Sequence, residues 1–384
     1  MIYLDNNATT MVAPEAAEAM VRFATELYGN PSVAYRFSRP VREAIAGARA
    51  EVAALIGAEP DEIAFTGCGT EANNAAIFSA LRTQPGKRHL VTSAVEHSAI
   101  KRCCEQHAPQ GVETTYLPVD PAGRIDLADL DKAIRPGETA LVSLMWANNE
   151  TGVLSPVEEA AALCREKGVL FHSDAIQAAG KIPIDVAAAG IPMLSISGHK
   201  FHAPKGVGAL YVSKNIPFQP LLVGGGQEGG RRSGTENVPG IAALGIAAKL
   251  MRERLAAPTR DAVRALRDRF ENALLDRVEG AEVNGHPEHR LPTTANLHFP
   301  GAEAQGMLIL LDEKGICCSS GSACSTGNPK PSAVMTAMGY PAKRAKSSLR
   351  FSFSRYNTDE EIGAAVEAVA AGVKKLRALS GYVG

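Results

Sequence analysis

The chain lacks the features that several protein classes require. Aromatic residues make up 5% of its 384 residues, with a single tryptophan, which argues against platforms that stack on single-stranded nucleic acid. Basic and acidic residues number 40 and 41, so a formal net charge of -1 offers no broad basic surface for nucleic acid. No apolar run approaches the roughly 18 residues of a transmembrane helix. We therefore expect neither nucleic acid nor a membrane as a partner.

Cysteine is also scarce, and its seven positions favour a reducing compartment over disulfide crosslinks. A chain of this length can bury a core without such crosslinks. The first seven residues contain neither a basic region nor an apolar stretch, so we expect no secretory signal and a cytoplasmic location. The thiols in helical or turn contexts are interpreted as packed, and they are Cys68, Cys103, Cys104 and Cys164.

Short apolar runs alternate with helical patterns through the first two-thirds of the chain. Strands are predicted near 62–66, 90–92, 139–145, 169–171, 194–196 and 209–212, and helices near 41–56, 71–81 and 156–167. This alternation predicts an α/β fold with a mainly parallel sheet covered by helices on both faces, and a ligand site at the carboxyl ends of the strands. After the glycine-rich segment 224–230, strands near 294–299 and 348–353 among charged helices indicate a smaller α+β domain.

A lysine lies just past one of the predicted strands, in Ser197-Gly198-His199-Lys200. A desolvated lysine loses its proton more readily and can attack an aldehyde, while the flanking Ser197 and His199 could bind a phosphate. A surface lysine in a turn explains this tetrapeptide equally well.

A carboxylate ends the preceding strand, in the stretch from Phe171 to Gln177. Asp174 there could keep the pyridine nitrogen of pyridoxal 5'-phosphate (PLP) protonated, so that the ring accepts electrons. Gln177, one turn further on, could reach the phenolic oxygen of the ring. Taken alone, Asp174 is more commonly explained as the N-cap of a following helix.

Two weaker signals follow other predicted strands. The small-residue turn at 66–70 opens a helix, and its backbone N–H groups with the Thr70 hydroxyl would suit a phosphate. His97 could stack on a flat ring or shuttle protons, although a lone histidine is more often structural.

A last candidate is Cys324, within the serine- and glycine-rich segment 319–327. Few apolar residues hold this stretch, so we expect an accessible thiol, the kind that supports thiolate chemistry. A metal site that combined Cys324 with Cys317 and Cys318 would match no common zinc or cluster spacing, so no metal site is predicted.

Together these stretches resemble the cysteine desulfurases, the NifS/IscS branch of the class V aminotransferase family of fold-type I PLP enzymes. The resemblance runs nearly end to end. Its ordered matches are residues 3–10, 29–32, 148–152, 174–177, 197–200, 232–235, 321–324 and 348–352. It implies a mainly parallel seven-stranded sheet sandwiched by helices. It also implies a large PLP-binding domain over 15–256 and a small domain, from 1–14 and 257–384, that carries a mobile cysteine loop.

The resemblance also implies roles around the cofactor. Lys200 would form a Schiff base with PLP, Asp174 would pair with the pyridine nitrogen, and Gln177 would face the phenolic oxygen. Asn149 would lie near that oxygen or the substrate carboxylate. His97 would stack on the ring and help to move protons. The phosphate ligands would be Gly69, Thr70, Ser197 and His199, joined by Thr235 from the partner subunit of a homodimer.

For the substrate, the resemblance implies that Arg350 binds the α-carboxylate of L-cysteine. Cys324 would attack the substrate sulfur, which yields L-alanine and a persulfide on Cys324. The sulfur would pass to an acceptor or an iron–sulfur scaffold protein, with Cys324 as a candidate transient cluster ligand. The Ser-Gly-Ser-Ala-Cys context resembles the long-loop branch of the family.

The chain departs from the usual family pattern at positions that carry no catalytic group, and these are Tyr35, Ser38, Cys68 and Ser354. It also stops soon after Leu379, which leaves little length for a scaffold-docking tail. Two alternatives stay open. One is a selenocysteine lyase or another PLP-dependent β-elimination enzyme. The other is a sulfur-delivery partner with vestigial catalysis, against which the intact Lys200, Asp174, Arg350 and Cys324 argue.

Overall fold

A computed structural model describes residues 1–320 and 331–382. The strands in these ranges are β1 (Ile2–Tyr3), β2 (Ile63–Thr66), β3 (His89–Ser93), β4 (Glu113–Leu117), β5 (Thr139–Met145), β6 (Leu170–Asp174), β7 (Met193–Ser197), β8 (Gly208–Val212), β9 (Glu282–Val283), β10 (Thr294–His298), β11 (Ile316–Cys317) and β12 (Ser348–Ser352). The α-helices are α1 (Pro14–Thr25), α2 (Arg39–Ile56), α3 (Gly69–Thr83), α4 (Ser98–His107), α5 (Leu127–Ala133), α6 (Val157–Glu166), α7 (Val186–Ala189), α8 (Val238–Ala256), α9 (Ala262–Arg277), α10 (Ala304–Asp312), α11 (Ala333–Ala337), α12 (Ala342–Lys346) and α13 (Asp359–Ser380).

The largest sheet of the described residues has seven strands in the order β2-β8-β7-β6-β5-β3-β4. Its strands run parallel except β8, which is antiparallel to both of its neighbours. Every residue of β5 and β7 is buried, which is expected of central strands with helices on both faces. The mainly parallel α/β fold inferred from the sequence is thus confirmed.

The helices predicted near 41–56, 71–81 and 156–167 correspond to α2, α3 and α6, with differences at their ends. α2 ends at Gly57, whose φ of 68° is a left-handed C-cap that favours glycine. α3 begins at Gly69, two residues before the predicted start, because the small-residue turn is itself part of the helix. Neither α1 nor β4 was predicted. α1 buries only Ala16, and β4 lies at an edge of the sheet with half-exposed polar residues, so both have weak apolar patterns.

A smaller sheet consists of three antiparallel strands in the order β12-β10-β9. Its apolar residues cluster with α9, α10 and α13, and Leu4 from the N-terminus joins them. β1 pairs with β11, and Asp5 then forms a bridge to Ser352 at the end of β12. The first residues of the chain therefore run along the strand that carries Arg350.

The helices of the described ranges were searched for one long and apolar enough to cross a bilayer, and none qualifies.

Candidate active site

Several polar residues singled out in the sequence lie at one edge of the large sheet. They are Thr70 after β2, His97 after β3, Asn149 after β5, Asp174 at the end of β6 and Lys200 after β7. These strands run in the same direction, so their carboxyl ends meet at this edge. The convergence expected of a ligand site in this fold is therefore present.

Asp174 is a buried carboxylate whose two oxygens are both engaged. Asn73 on α3 donates its Nδ2–H to Oδ2 at 2.7 Å, and the N–H of Ile176 donates to Oδ1 at 3.0 Å. Burial raises the pKa of Asp174, while these hydrogen bonds and the nearby His97 and Lys200 oppose the rise. A cationic N–H partner would stabilise the ionised form of this buried carboxylate. Asn73 was not anticipated, since nothing local in the sequence shows that α3 faces the end of β6.

Lys200 closes a short 3₁₀ turn after β7 and directs its amine at the N-terminal segment. Its Nζ donates to the main-chain oxygens of Asn7 at 2.7 Å and Ala8 at 2.8 Å. Burial, followed by the charge of Arg350, lowers the pKa of Lys200 to about 8. A substantial fraction of the amine is therefore neutral near physiological pH and able to attack an aldehyde.

Asn7 is a second residue that the sequence did not single out for the site. Its main-chain oxygen also accepts the Nε2–H of Gln177 at 2.9 Å. Its side-chain Nδ2 donates to Thr294 Oγ1 at 2.9 Å and to the main-chain oxygen of Asn149 at 3.2 Å. The N-terminal segment thus links Lys200 to the turns after β5 and β6. The matched stretch 3–10 was the available signal, but no chemistry in those residues pointed to a role.

His97 caps the N-terminus of α4, where its Nδ1 accepts the N–H of Ala99 at 3.1 Å. The residue is exposed, yet desolvation by the surrounding atoms lowers the pKa of the imidazole, with Asp174 opposing this effect and Lys200 adding to it. A neutral ring that is open to solvent and electrostatically linked to both Asp174 and Lys200 is suited to contact a flat cofactor. Its helix-capping contact bears out the structural interpretation of His97, and its role at a cofactor stays a prediction.

The start of α3 forms a shallow cradle for an anion. A Cβ on Gly69 would lie 3.1 Å from Cβ of Ser197 and would collide with Ile176, so only glycine leaves this space open. The N-terminus of a helix of this length favours negative charge. The one carboxylate in the first turn, on Glu71, is drawn away by the Gly67 N–H at 2.8 Å and by Arg232 at 2.9 Å.

His199 lies next to Lys200 and contacts Thr9 Oγ1 through Nδ1 at 3.1 Å. Burial, with Lys200 as the next cause, lowers the pKa of His199 to about 4. The imidazole is therefore neutral at pH 7 and retains one N–H donor. Together with the buried Ser197 hydroxyl, it offers the kind of donor set that a phosphate requires.

Arg350 on β12 points its guanidinium at the same region. One terminal nitrogen donates to the main-chain oxygen of Asn149 at 2.8 Å, and the other forms an ion pair with Asp5 at 2.7 Å. The side chain is buried, and within the described residues its Nε–H has no acceptor. A buried guanidinium with an unused donor fits a small carboxylate.

These groups fit PLP and an amino-acid substrate. The site combines an aldehyde-reactive lysine, a buried carboxylate, an anion cradle that a Cβ would fill, and an arginine with an unused N–H. A search of the described ranges for three or more metal-ligating side chains found no group arranged to hold a metal ion.

Comparisons of the sequence and of the structure with known proteins lead to the same protein family. A family model described as aminotransferase class-V matches residues 2–364. "Cysteine desulfurase 2" of Trichormus variabilis is 51% identical over 382 residues, which cover 100% of this chain and 95% of the relative. "Cysteine desulfurase NifS" of Azotobacter vinelandii is 48% identical and covers 99% of this chain and 94% of its own. This chain belongs to the cysteine desulfurases of the class V aminotransferase family.

Solved structures agree with this assignment. One described as a NifS-like protein has a TM-score of 0.90 and 35% identity, with coverage of 97% of this chain and 99% of its own. Another, described as SspA in complex with cysteine, has a TM-score of 0.82 and 34% identity, and covers 93% of this chain and 100% of its own. Cysteine desulfurases are PLP-dependent enzymes, which agrees with the cofactor inferred from Lys200 and Asp174.

Three positions of this cysteine desulfurase fall outside the assembled site or differ from expectation. Thr235 is exposed and follows the glycine-rich segment, and none of the contacts described above involves it. Cys324 lies outside the described residues. Cys68 was interpreted as a packed thiol, and this is wrong: the residue is exposed, because it occupies the N-cap of α3 with an extended backbone. Cys103, Cys104 and Cys164 are buried as predicted.

Proposed function

We propose that this protein is a PLP-dependent cysteine desulfurase that converts L-cysteine to L-alanine and transfers the sulfur to Cys324. The observation that carries the proposal is that Arg350, through its contact with Asn149, faces the sheet edge that holds Lys200 and Asp174, in a chain 51% identical to a relative named cysteine desulfurase. Each of these residues supplies a different part of the required chemistry.

When bound, PLP supplies an aldehyde for amines and a ring that takes up the electrons left on the substrate Cα. In this site, Lys200 would hold the cofactor through its amine and then serve as the base at Cα, because its pKa of about 8 allows both protonation states. Asp174, fixed by Asn73, would keep the pyridine nitrogen protonated. Gln177 would donate to the phenolic oxygen, and His97 would cover the ring and pass protons.

The anion cradle would hold the cofactor phosphate through residues at the starts of two turns. Gly69 and Thr70 would contribute the N-terminus of α3, and Ser197 and His199 the turn after β7. Neutrality of the His199 imidazole leaves an N–H for this purpose. We further propose a homodimer in which Thr235 of one subunit completes the phosphate site of the other, which would explain its exposure in a single chain.

Arg350 would bind the substrate carboxylate with the N–H that is unused within the described residues, assisted by Asn149. The ion pair with Asp5 and the bond to the Asn149 main chain hold the guanidinium plane in place before the substrate arrives. This arrangement favours a substrate with an α-carboxylate, such as L-cysteine.

Cys324 would receive the sulfur. The Cβ–S bond of L-cysteine breaks, a bond forms between that sulfur and the Cys324 sulfur, and the three carbons leave as L-alanine, so no external oxidant or reductant is needed. Ser319 exchanges main-chain hydrogen bonds of 2.6 and 3.1 Å with Arg350. Ser319, five positions before Cys324 in the sequence, is thus attached to the strand that carries Arg350.

The sulfur would then pass to an acceptor or iron–sulfur scaffold protein. We also propose the division into a large domain (15–256) and a small one (1–14 and 257–384). It is supported by the apolar cluster that joins Leu4 with residues between Val263 and Val373. A cytoplasmic location would keep the Cys324 thiol reduced.

The test uses L-cysteine turnover with mass spectrometry of the protein. The wild-type enzyme should release alanine and carry a persulfide on Cys324, and Cys324→Ala should lose the persulfide and most of the turnover. Cys317→Ala, which removes a half-buried thiol on β11, is the matched control and should retain both. Native rates of alanine and sulfide release from Cys324→Ala would contradict the proposal, and a preference for selenocysteine would favour a lyase.

A further inference from the structure

Lys181 is a buried lysine beside the site for which no role has been assigned. It follows the turn after β6, and 9% of the residue surface is exposed. Its Nζ donates to Gln177 Oε1 at 2.5 Å and to Asn7 Oδ1 at 3.0 Å. Both partners belong to the site, and neither is charged.

A buried ammonium normally needs a carboxylate partner. Within the described residues, no carboxylate forms an ion pair with Lys181. The charged groups near it are Lys200 and Arg350, so burial first, and then these two cations, lower its pKa well below the ordinary lysine value. Its Nζ–H groups therefore serve as donors to two amide oxygens rather than to a carboxylate.

This contact decides which way the Gln177 amide faces. An amide has a donor end and an acceptor end, and Lys181 engages the acceptor end. The Nε2 donor is thereby turned to the Asn7 main-chain oxygen, the same atom that accepts Lys200 Nζ. Without Lys181, the amide could rotate and present its oxygen to the Lys200 amine.

The same amine orients the side chain of Asn7. Its Oδ1 faces Lys181, so its Nδ2 is directed to Thr294 Oγ1 and to the Asn149 main-chain oxygen. One lysine thus fixes two amides, and through them the acceptors around Lys200 and the turn that carries Asn149.

We propose that Lys181 is a positioning residue: it holds Gln177 with its Nε2 donor, rather than its oxygen, on the side of Lys200, where that donor would meet the phenolic oxygen of bound PLP and so set the proton affinity of the Lys200 centre. The proposal rests on the proposed function, because it concerns PLP bound at Lys200. Lys181 itself does not touch the reacting atoms; it acts through Gln177 and Asn7.

The test compares Lys181→Met, which removes the donor, with Lys181→Gln, which keeps an uncharged donor. Lys249→Met, the loss of an exposed lysine on α8, is the matched control. The readouts are PLP affinity and the pH midpoint of the visible absorption change of the PLP-loaded protein. In Lys181→Met, the midpoint should rise by about one pH unit, a tenfold change in proton affinity, because the phenolic oxygen loses its donor. Lys181→Gln should restore part of the shift.

A second comparison uses Gln177→Ala, in which the residue that Lys181 orients is removed. If Lys181 acts through Gln177, adding Lys181→Met to that variant should cause little further change in the midpoint. Additive shifts would overturn the proposal, as would identical behaviour of Lys181→Met and Lys181→Gln, which would point to charge or packing instead. Thermal unfolding checks that each variant folds. If Lys181→Met does not fold, the pH midpoint of Lys181→Gln, alone and combined with Gln177→Ala, is the measurement that tests the proposal.

Different results would overturn the proposed function and the role of Lys181. Wild-type protein that forms no pH-dependent visible band with PLP would overturn the proposed function. A normal band in the wild type, with wild-type midpoints and affinities in both Lys181 variants, would overturn only the role of Lys181.

Discussion

Replacement of Arg350 by lysine separates the geometry of the proposed substrate-binding cation from its charge. Arg350 uses its two terminal nitrogens on Asn149 and Asp5, and its buried Nε–H has no acceptor within the described residues. A lysine keeps one positive charge but lacks a planar fork, so its donors cannot satisfy both neighbours and a substrate carboxylate together. The Arg350→Lys protein should fold and bind PLP, yet bind L-cysteine poorly.

The expected loss follows from one charge-assisted hydrogen bond. Such a bond contributes about 1.5–3 kcal/mol, which corresponds to a fall in kcat/KM of about 10- to 150-fold. The larger share should fall on KM, because the bond forms when the substrate binds. Alanine release measured against L-cysteine concentration gives both constants.

The matched control is Arg135→Lys. Arg135 also makes a bidentate contact with a carboxylate, Glu113, with both distances at 2.7 Å, but on the exposed surface. Its replacement should leave kcat and KM unchanged, since exposed ion pairs contribute little. An unaltered KM in Arg350→Lys, or equal effects in both variants, would refute the assignment of Arg350 to the carboxylate.

Three further predictions concern the buried groups around the site. Asn73→Ala leaves one oxygen of Asp174 unpaired and should weaken PLP affinity about tenfold, measured by equilibrium titration, whereas Asn74→Ala, the loss of a helix-surface contact, should not. The rate at which apoprotein forms a visible band with PLP should rise about tenfold per pH unit and level off above a pH of about 8, as Lys200 loses its proton; a flat profile would count against Lys200. Burial raises the pKa of Glu96 from its ordinary value of 4.5 to about 8. Between these two pH values, the carboxyl group is protonated in the folded state and ionised in the unfolded state. The stability that depends on this proton falls as pH rises. Glu96→Gln keeps an acceptor for the two donors to Glu96. In urea unfolding, the free energy of unfolding of this variant relative to wild type should therefore be about 1–4 kcal/mol higher at pH 8 than at pH 5. An equal difference at both pH values would exclude this explanation.

Local patterns predicted the layers of the fold because buried strands and amphipathic helices are properties of neighbouring residues. The strands β5 and β7, rich in apolar residues, were recognisable for that reason. β4 was not, because an edge strand exposes polar side chains and has little apolar pattern. Cys68 was misjudged because residue type suggested packing, while its place at a helix N-cap keeps it exposed.

The groups proposed to perform the chemistry could be named from the sequence, since Lys200, Asp174 and Arg350 each stand in a distinctive stretch and the stretches occur in a recognisable order. Their partners could not. Asn73 lies 101 positions from Asp174, Asn7 lies 193 from Lys200, and Asp5 lies 345 from Arg350.

The sequence by itself therefore determined the fold class and named the candidate reactive side chains. Only the tertiary structure decided how those side chains are held, which amide ends face the site and how burial shifts the pKa of each group. The physical reason is range: residue type and spacing act over a few neighbours, whereas hydrogen bonds, desolvation and charge act between atoms that the fold brings together. Lys181 shows the difference, because in the sequence it is one lysine after a glycine, and in the fold it is the donor that orients Gln177.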